Sequence, residues 1–321
     1  MVKKLKISKA TKIILGILLG ITLVTAGVYA YFFAGPYSGA DEVNAQIEKM
    51  NIDKEEIQAI VIHDEEQLDA LNYKFVIDDK IYSKQDLRDW QKDELIKTNK
   101  LLNRRFKQNV KIDTNMSFET IKGLVVAQKV AIGQENLKKA FERQCEFGEI
   151  ASKVANATSF GKRKVSIADI YLEDSKYDAK EVMRQFSEMM TVNNSENQLM
   201  NFKANPNHFY SHGSGTTQEV VEMTGGTRFA NRFFLKYGDE SGLKTKKDTE
   251  FIVETAGTGY LEDGTVIGGV RHEMTDEGDT LHVRLQVEFP ATMPKYMIHQ
   301  HAIHLLVEFS NWLTDIENSN Q

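Results

Sequence analysis

The chain has 321 residues, of which 41% are hydrophobic and 27% are charged; this balance is ordinary for a packed protein and argues against disorder. Five lysines and no acidic residue lie among the first 12 residues, which leaves 35 basic against 46 acidic residues from residue 13 onward. Because binding to phosphate relies on lysine and arginine, we do not expect so acidic a chain to bind nucleic acid.

The first element in chain order is a stretch of 22 residues without charge, Ile13 to Ala34. As a helix it would span roughly 33 Å, enough to cross the hydrocarbon core of a bilayer. The lysines before it favour a cytoplasmic N-terminus, so residues 1–12 are a basic cytoplasmic tail and the rest of the chain lies outside. A cleaved signal peptide is the alternative, because residues 28–30 and 38–40 resemble cleavage sites. The apolar run is longer than the ~7–15 residues typical of such signals, and we therefore predict a retained single-pass anchor at 13–34.

Gly16 and Gly20 form a Gly-x-x-x-Gly pair within the predicted anchor. Small residues four apart let two membrane helices approach closely, which would support a homodimer. The alternative is that glycine is simply common in membrane helices. The low proline and cysteine content, with abundant lysine, asparagine and isoleucine, is typical of a Gram-positive bacterium.

Residues 35–157 form a predicted membrane-proximal region that is mainly helical. Ser83 is a suitable N-cap for a helix over 85–107, and Ser117 for a long helical run over 118–157. The two would pack as an antiparallel pair. A small hairpin around Asp78 and Asp79 is predicted between Tyr73 and Tyr82. Cys145 falls on the apolar face of the long run, which indicates a buried packing residue.

A polar break at 158–164 marks the predicted start of a second, extracytoplasmic domain at 158–321. Residues 165–170 suit either a strand or the start of a helix. Residues 205–227 are rich in Gly, Ser, Thr, Asn and His and predict a surface loop around a short helix at Glu219–Met223.

The last third of the chain predicts an antiparallel sheet covered by a helix. Alternation of apolar and polar residues over 281–289 is typical of a half-buried strand. Two further strands, Thr249–Tyr260 and Thr265–Thr275, precede it, so the three form a β-meander. A terminal helix over 296–316 carries an apolar stripe to cover the sheet. The predicted fold class is therefore α+β.

Three histidines lie at the start of the terminal helix. On a helix, His301, His304 and Glu308 share one side, and two imidazoles with a carboxylate can bind zinc. The segment lacks the His-Glu-x-x-His signature of metalloproteases, and a polar helix face is the simpler interpretation. His208 and His212 are possible auxiliary ligands in the predicted loop, with ordinary loop polarity as the alternative.

The sequence favours a non-enzymatic protein without a cofactor. We expect a membrane-anchored scaffold that binds other envelope proteins in a secretion, conjugation or cell-wall assembly. The alternative is a zinc-dependent surface hydrolase that uses His301, His304 and Glu308.

Overall fold

The computed structural model describes residues 27, 29–50 and 52–319. Most of the predicted anchor at 13–34, including Gly16 and Gly20, lies outside these residues. Within them, no helix is both long enough and apolar enough to cross a membrane. The anchor and the glycine contact therefore stay predictions.

From residue 40 onward the described chain holds eight helices and nine strands. The helices are α1 (Ala40–Ile47), α2 (Lys54–Ala70), α3 (Lys84–Phe106), α4 (Phe118–Ile132), α5 (Gln134–Thr158), α6 (Ala179–Thr191), α7 (Ser195–Ala204) and α8 (Lys295–Asn318). The strands are β1 (Asn72–Ile77), β2 (Lys80–Tyr82), β3 (Arg163–Glu173), β4 (His208–Ser214), β5 (Thr217–Glu222), β6 (Asn231–Tyr237), β7 (Val253–Tyr260), β8 (Val266–Glu277) and β9 (Thr280–Pro290).

All nine strands belong to one antiparallel sheet in the order β2-β1-β3-β9-β8-β7-β6-β5-β4. The predicted α+β class is confirmed, and the predicted meander is β7-β8-β9 at the middle of a larger sheet. β1 and β2 precede residue 158 and pair with each other, and β1 also pairs with β3, which follows it. One sheet therefore draws strands from both sides of the predicted domain boundary.

Local sequence signals set the ends of several elements. Ser83 caps α3 in a capping box with Asp86, and the Ser117 hydroxyl accepts from the backbone N–H of Thr120 at the start of α4. Asp78 and Asp79 have φ of 49° and 62°, the left-handed pair that a type I′ hairpin turn requires. These three predictions are confirmed.

Two predicted segments differ in the structure. The helical run over 118–157 is broken at Gly133, whose φ of +78° lies outside the helical region, so α4 and α5 are separate helices. The predicted loop and short helix over 205–227 are instead the hairpin β4-β5, which turns at Gly215 with φ of +61°. The sequence did not predict these strands because the segment is polar. Its buried residues include polar side chains such as His208 and Glu222, so it lacks the apolar alternation of a half-buried strand.

The terminal helix α8 lies between the sheet and the other helices. Its apolar residues Leu305, Phe309 and Leu313 pack in one core with residues of β1, β3, β8 and β9. Its other side meets α3 and α4, where Trp90 donates a hydrogen bond to Gln300 (2.9 Å) and Lys122 donates one to Asn311 (2.9 Å). Almost every residue of α8 from His301 to Glu317 is therefore buried.

A second core joins the helices to the β4-β5 hairpin. Phe106, Phe141 and Phe209 pack there beside Cys145, which is 6% exposed. Burial raises the pKa of the Cys145 thiol to about 12, since a buried thiolate would lose its hydration. The prediction of a packing cysteine is confirmed.

Candidate metal centre

The β4-β5 hairpin and helix α8 bring four acid–base side chains to one buried point. His208 begins β4 and Glu222 ends β5, and the two are direct partners across the hairpin. His304 and Glu308 lie one turn apart on α8, facing that end of the hairpin. All four residues are less than 9% exposed.

The four facing atoms form a compact group. The Nε2 atoms of His208 and His304 lie 3.2 Å apart. Glu308 Oε2 lies 2.9 Å from His208 Nε2 and 3.2 Å from His304 Nε2. Glu222 Oε2 is 3.7 Å from His208 Nε2 and 3.9 Å from His304 Nε2.

These separations match the ligand set of a tetrahedral ion. With ligand distances near 2.0 Å, zinc holds its ligand atoms roughly 3.3 Å apart. The three distances among His208, His304 and Glu308 run from 2.9 to 3.2 Å, and those to Glu222 are somewhat longer. Two imidazoles with one carboxylate are the nitrogen and oxygen donors that zinc accepts in three-ligand sites.

A neighbouring contact fixes the orientation of the His208 ring. His208 Nδ1 lies 3.2 Å from the backbone oxygen of Asn201, which can only accept, so a proton stays on Nδ1 and Nε2 is the atom that would bind an ion. The Nδ1 atom of His304 has no hydrogen-bond partner among the described residues. The Asn205 side chain donates to the backbone oxygen of His304 at 3.3 Å and ties the start of β4 to α8. The hairpin and the helix are therefore held in register at the centre.

The electrostatics of the group favour a cation. Burial alone would raise the pKa of Glu308, but hydrogen bonds from His208 and His304 outweigh it and lower that pKa. Burial alone would lower the pKa of His304, but the carboxylates of Glu222 and Glu308 raise it. For Glu222, burial raises the pKa and the two imidazoles offset only part of that effect. Glu308 is therefore an ionised carboxylate held between two imidazoles.

The structure brings together some of the predicted site residues and separates others. His304, Glu308 and the auxiliary His208 meet at the centre, and all three are buried, so this side of the helix does not face solvent. The ring of His301 stacks on His304 with centroids 5.1 Å apart but is outside the group of facing atoms. His212 is exposed at the other end of the hairpin. Glu222 is not among the predicted site residues, because the sequence predicts a short helix at Glu219–Met223 within a surface loop where the structure has a strand.

A cavity of about 360 Å³ lies beside the centre, within the ~300–1,000 Å³ typical of small-molecule sites. His208, Glu222, His304 and Glu308 all line it. The rest of its wall is mainly apolar and includes Leu235, Val270, Phe289, Met297, Leu305 and Phe309. A polar centre at the wall of an apolar cavity suits a substrate that is itself mostly apolar.

The fit of the β5-β6 loop against α8 depends on a glycine. A Cβ on Gly225 would lie 2.4 Å from the backbone N and Cα of His301, far inside normal contact. We therefore expect Gly225→Ala to destabilise the protein by about 1–3 kcal/mol in urea unfolding, the usual effect of overpacking. Gly259→Ala is the control, since its Cβ would meet nothing closer than 3.5 Å. Equal stability of the two variants would contradict the predicted clash.

Comparison with other proteins assigns no role to this centre. No protein-family model matches the chain, and no curated protein has a significantly similar sequence. A function for this protein can therefore be inferred only from the geometry of the residues that the structure describes.

Proposed function

We propose that this protein is a metal-dependent hydrolase whose zinc-type ion is held by His208, His304 and Glu308. The observation that carries this proposal is the group of three ligand atoms lying 2.9–3.2 Å from one another in a buried, oriented arrangement. Three protein ligands leave a fourth position for water, which is the arrangement of catalytic rather than structural zinc sites. The cavity beside the group offers the space for a substrate.

Glu222 has the position of a general base in this proposal. Its carboxylate oxygen lies 3.7 Å from His208 Nε2 and 3.9 Å from His304 Nε2, and it would take a proton from the water that the ion supplies. The water oxygen would bond to the acyl carbon of an ester as the bond from that carbon to the alcohol oxygen breaks. Glu222 would then pass the proton to the departing alcohol, so atoms and charge balance.

Together with the anchor predicted at 13–34, this activity would lie on the outer side of the cell membrane, and we propose that location for it. The scaffold role in a secretion, conjugation or cell-wall assembly stays a prediction, as do the envelope partners and the homodimer. A protein that holds no metal and co-purifies with a stoichiometric envelope partner would favour the scaffold.

Metal content tests the proposal directly. We expect about one equivalent of zinc in the full-length protein by elemental mass spectrometry, and less than about a tenth in His208→Ala and His304→Ala. His212→Ala is the matched control, because this histidine lies on the same hairpin but is exposed. It should keep the metal of the unaltered protein.

Folding of the variants is checked separately by circular dichroism. Cobalt(II) added to the metal-stripped protein should give the visible absorption of a tetrahedral complex, and this absorption should be missing in a folded His304→Ala variant. Folded protein that takes up neither zinc nor cobalt would overturn the proposed function.

A further inference from the structure

We propose that the cavity binds one acyl chain of a membrane lipid, with the ester group of that lipid at the His208–Glu308 centre. Cleavage of the ester rests on the proposed function, whereas binding of the chain does not. Four observations support this ligand. They are a second apolar chamber, two buried histidines in the cavity lining, contacts between the cavity wall and the end of the predicted anchor, and exposed apolar side chains on neighbouring segments.

The cavity continues towards a second chamber of about 140 Å³. The two share Met190, Tyr237, His272 and Phe309 as lining residues, so they meet at these side chains. Because methionine is flexible, a rotamer change of Met190 can open one chamber to the other. The far chamber is lined mainly by apolar residues, among them Met183, Phe186 and Met274. Two apolar chambers joined end to end suit a linear hydrocarbon chain.

Two buried histidines, His272 and His301, line the cavity and are 7% and 5% exposed. Their Nδ1 atoms are enclosed by protein and have no hydrogen-bond partner among the described residues. A ligand in the cavity would therefore meet the remaining edges of these rings, where an imidazole N–H can donate to an ester carbonyl.

One wall of the cavity lies close to the end of the predicted anchor. Phe229 lines the cavity, and its ring centroid is 5.0 Å from that of Phe147 on α5. The Phe147 ring in turn lies 5.0 Å from that of Phe33, one residue before the end of the anchor predicted at 13–34. A lipid beside the outer end of that anchor would therefore lie near this wall of the cavity.

Exposed apolar residues are neighbours in sequence of residues that line the cavity. Ala151 and Ala155 of α5 line the cavity, as does Met297 of α8. Next to these in the chain are three large apolar side chains that are more than half exposed: Ile150 (55%), Val154 (58%) and Tyr296 (62%). Exposed apolar side chains in such numbers are typical of protein or membrane contact. The contact between Phe147 of the same helix and Phe33 of the predicted anchor favours the membrane.

Photocrosslinking tests where the acyl chain of the lipid lies in the protein. The full-length protein is reconstituted in phosphatidylcholine vesicles that contain a phosphatidylglycerol with a diazirine at the end of one acyl chain. We expect crosslinks in the peptides of α6 and β8 that line the far chamber. Ser187→Trp, which places a ring at the exposed rim of this chamber, should lower crosslinking there about tenfold, while Glu188→Trp, an exposed neighbour on the same helix that does not line the chamber, should not.

The same experiment separates this proposal from the proposed function. The unaltered protein stripped of metal by a chelator should crosslink like the metal-loaded protein, because chain binding does not need the ion. Crosslinks confined to residues 29–37 in a protein that still holds zinc would overturn the acyl-chain site and leave the metal centre standing. Crosslinking by a free diazirine fatty acid but not by the phospholipid would overturn the membrane as the source.

Discussion

Replacing Glu222 with glutamine is expected to leave the zinc content near one equivalent and to lower kcat for 4-nitrophenyl butyrate hydrolysis by about 10²–10⁴-fold, the usual contribution of general acid–base catalysis. The amide keeps the shape of the side chain but cannot take a proton from water. His208, His304 and Glu308 remain to hold the ion, at mutual distances of 2.9–3.2 Å. This variant should therefore keep its metal while its turnover falls.

Glu219→Gln is the matched control for this measurement. Glu219 lies three residues earlier on the same strand and pairs with Lys138 at 2.7 Å, away from the centre. Its replacement should change neither zinc content nor kcat appreciably. If Glu222→Gln instead loses its zinc, Glu222 is a fourth ligand, the site is closed, and the assignment as a general base is wrong.

Replacing Glu65 with alanine is expected to lower the free energy of unfolding by about 3–5 kcal/mol, because it leaves a buried ammonium without its counter-charge. Lys122 Nζ lies 2.6 Å from Glu65 Oε1, with side-chain exposures of 2% and 4%. Asn311 of α8 accepts a further hydrogen bond from this ammonium at 2.9 Å, but an amide cannot neutralise it. Urea unfolding followed by tryptophan fluorescence measures the difference.

Asp69→Ala provides the control for the buried pair. Asp69 and Glu65 both bind Arg88 at 2.9 Å, but the Asp69 side chain is 55% exposed. Exposed ion pairs contribute about 0–1 kcal/mol, so this variant should remain close to the unaltered protein. If Glu65→Ala lowers the free energy of unfolding by less than about 1 kcal/mol, the buried charge of Lys122 is instead stabilised by water or by a local shift of the structure.

The sequence predicted those parts of the fold that depend on local patterns. Ser83 and Ser117 cap the helices they were expected to cap, because N-capping needs only a side-chain oxygen next to the first free N–H groups. The turn at Asp78 and Asp79 and the β7-β8-β9 meander follow from turn chemistry and strict alternation in the same way. The spacing of His304 and Glu308 placed both on one side of a helix.

Elsewhere the local pattern was misleading because the surroundings of the residues were unknown. The segment with His208 and Glu222 has the composition of a surface loop, yet it pairs as β4-β5 and both side chains are buried. His212 has the same residue type and nearly the same position, but it lies at the exposed end of that hairpin. Composition does not distinguish the two histidines, since only the register of the hairpin against α8 decides which one is enclosed.

By itself, the sequence determined the α+β class, the caps at Ser83 and Ser117, the turn at Asp78 and Asp79, and a His-His-Glu spacing on the last helix, because each depends on residues close together in the chain. The tertiary structure decided what that spacing means. Helix α8 carries its polar residues in the interior, where side chains from distant elements meet them: Lys122 meets Asn311, and His208 meets Glu308. Burial makes such pairs obligatory, since a buried charge or polar atom without a partner is costly. It is this enclosure that turns an ordinary polar stripe into a candidate metal centre.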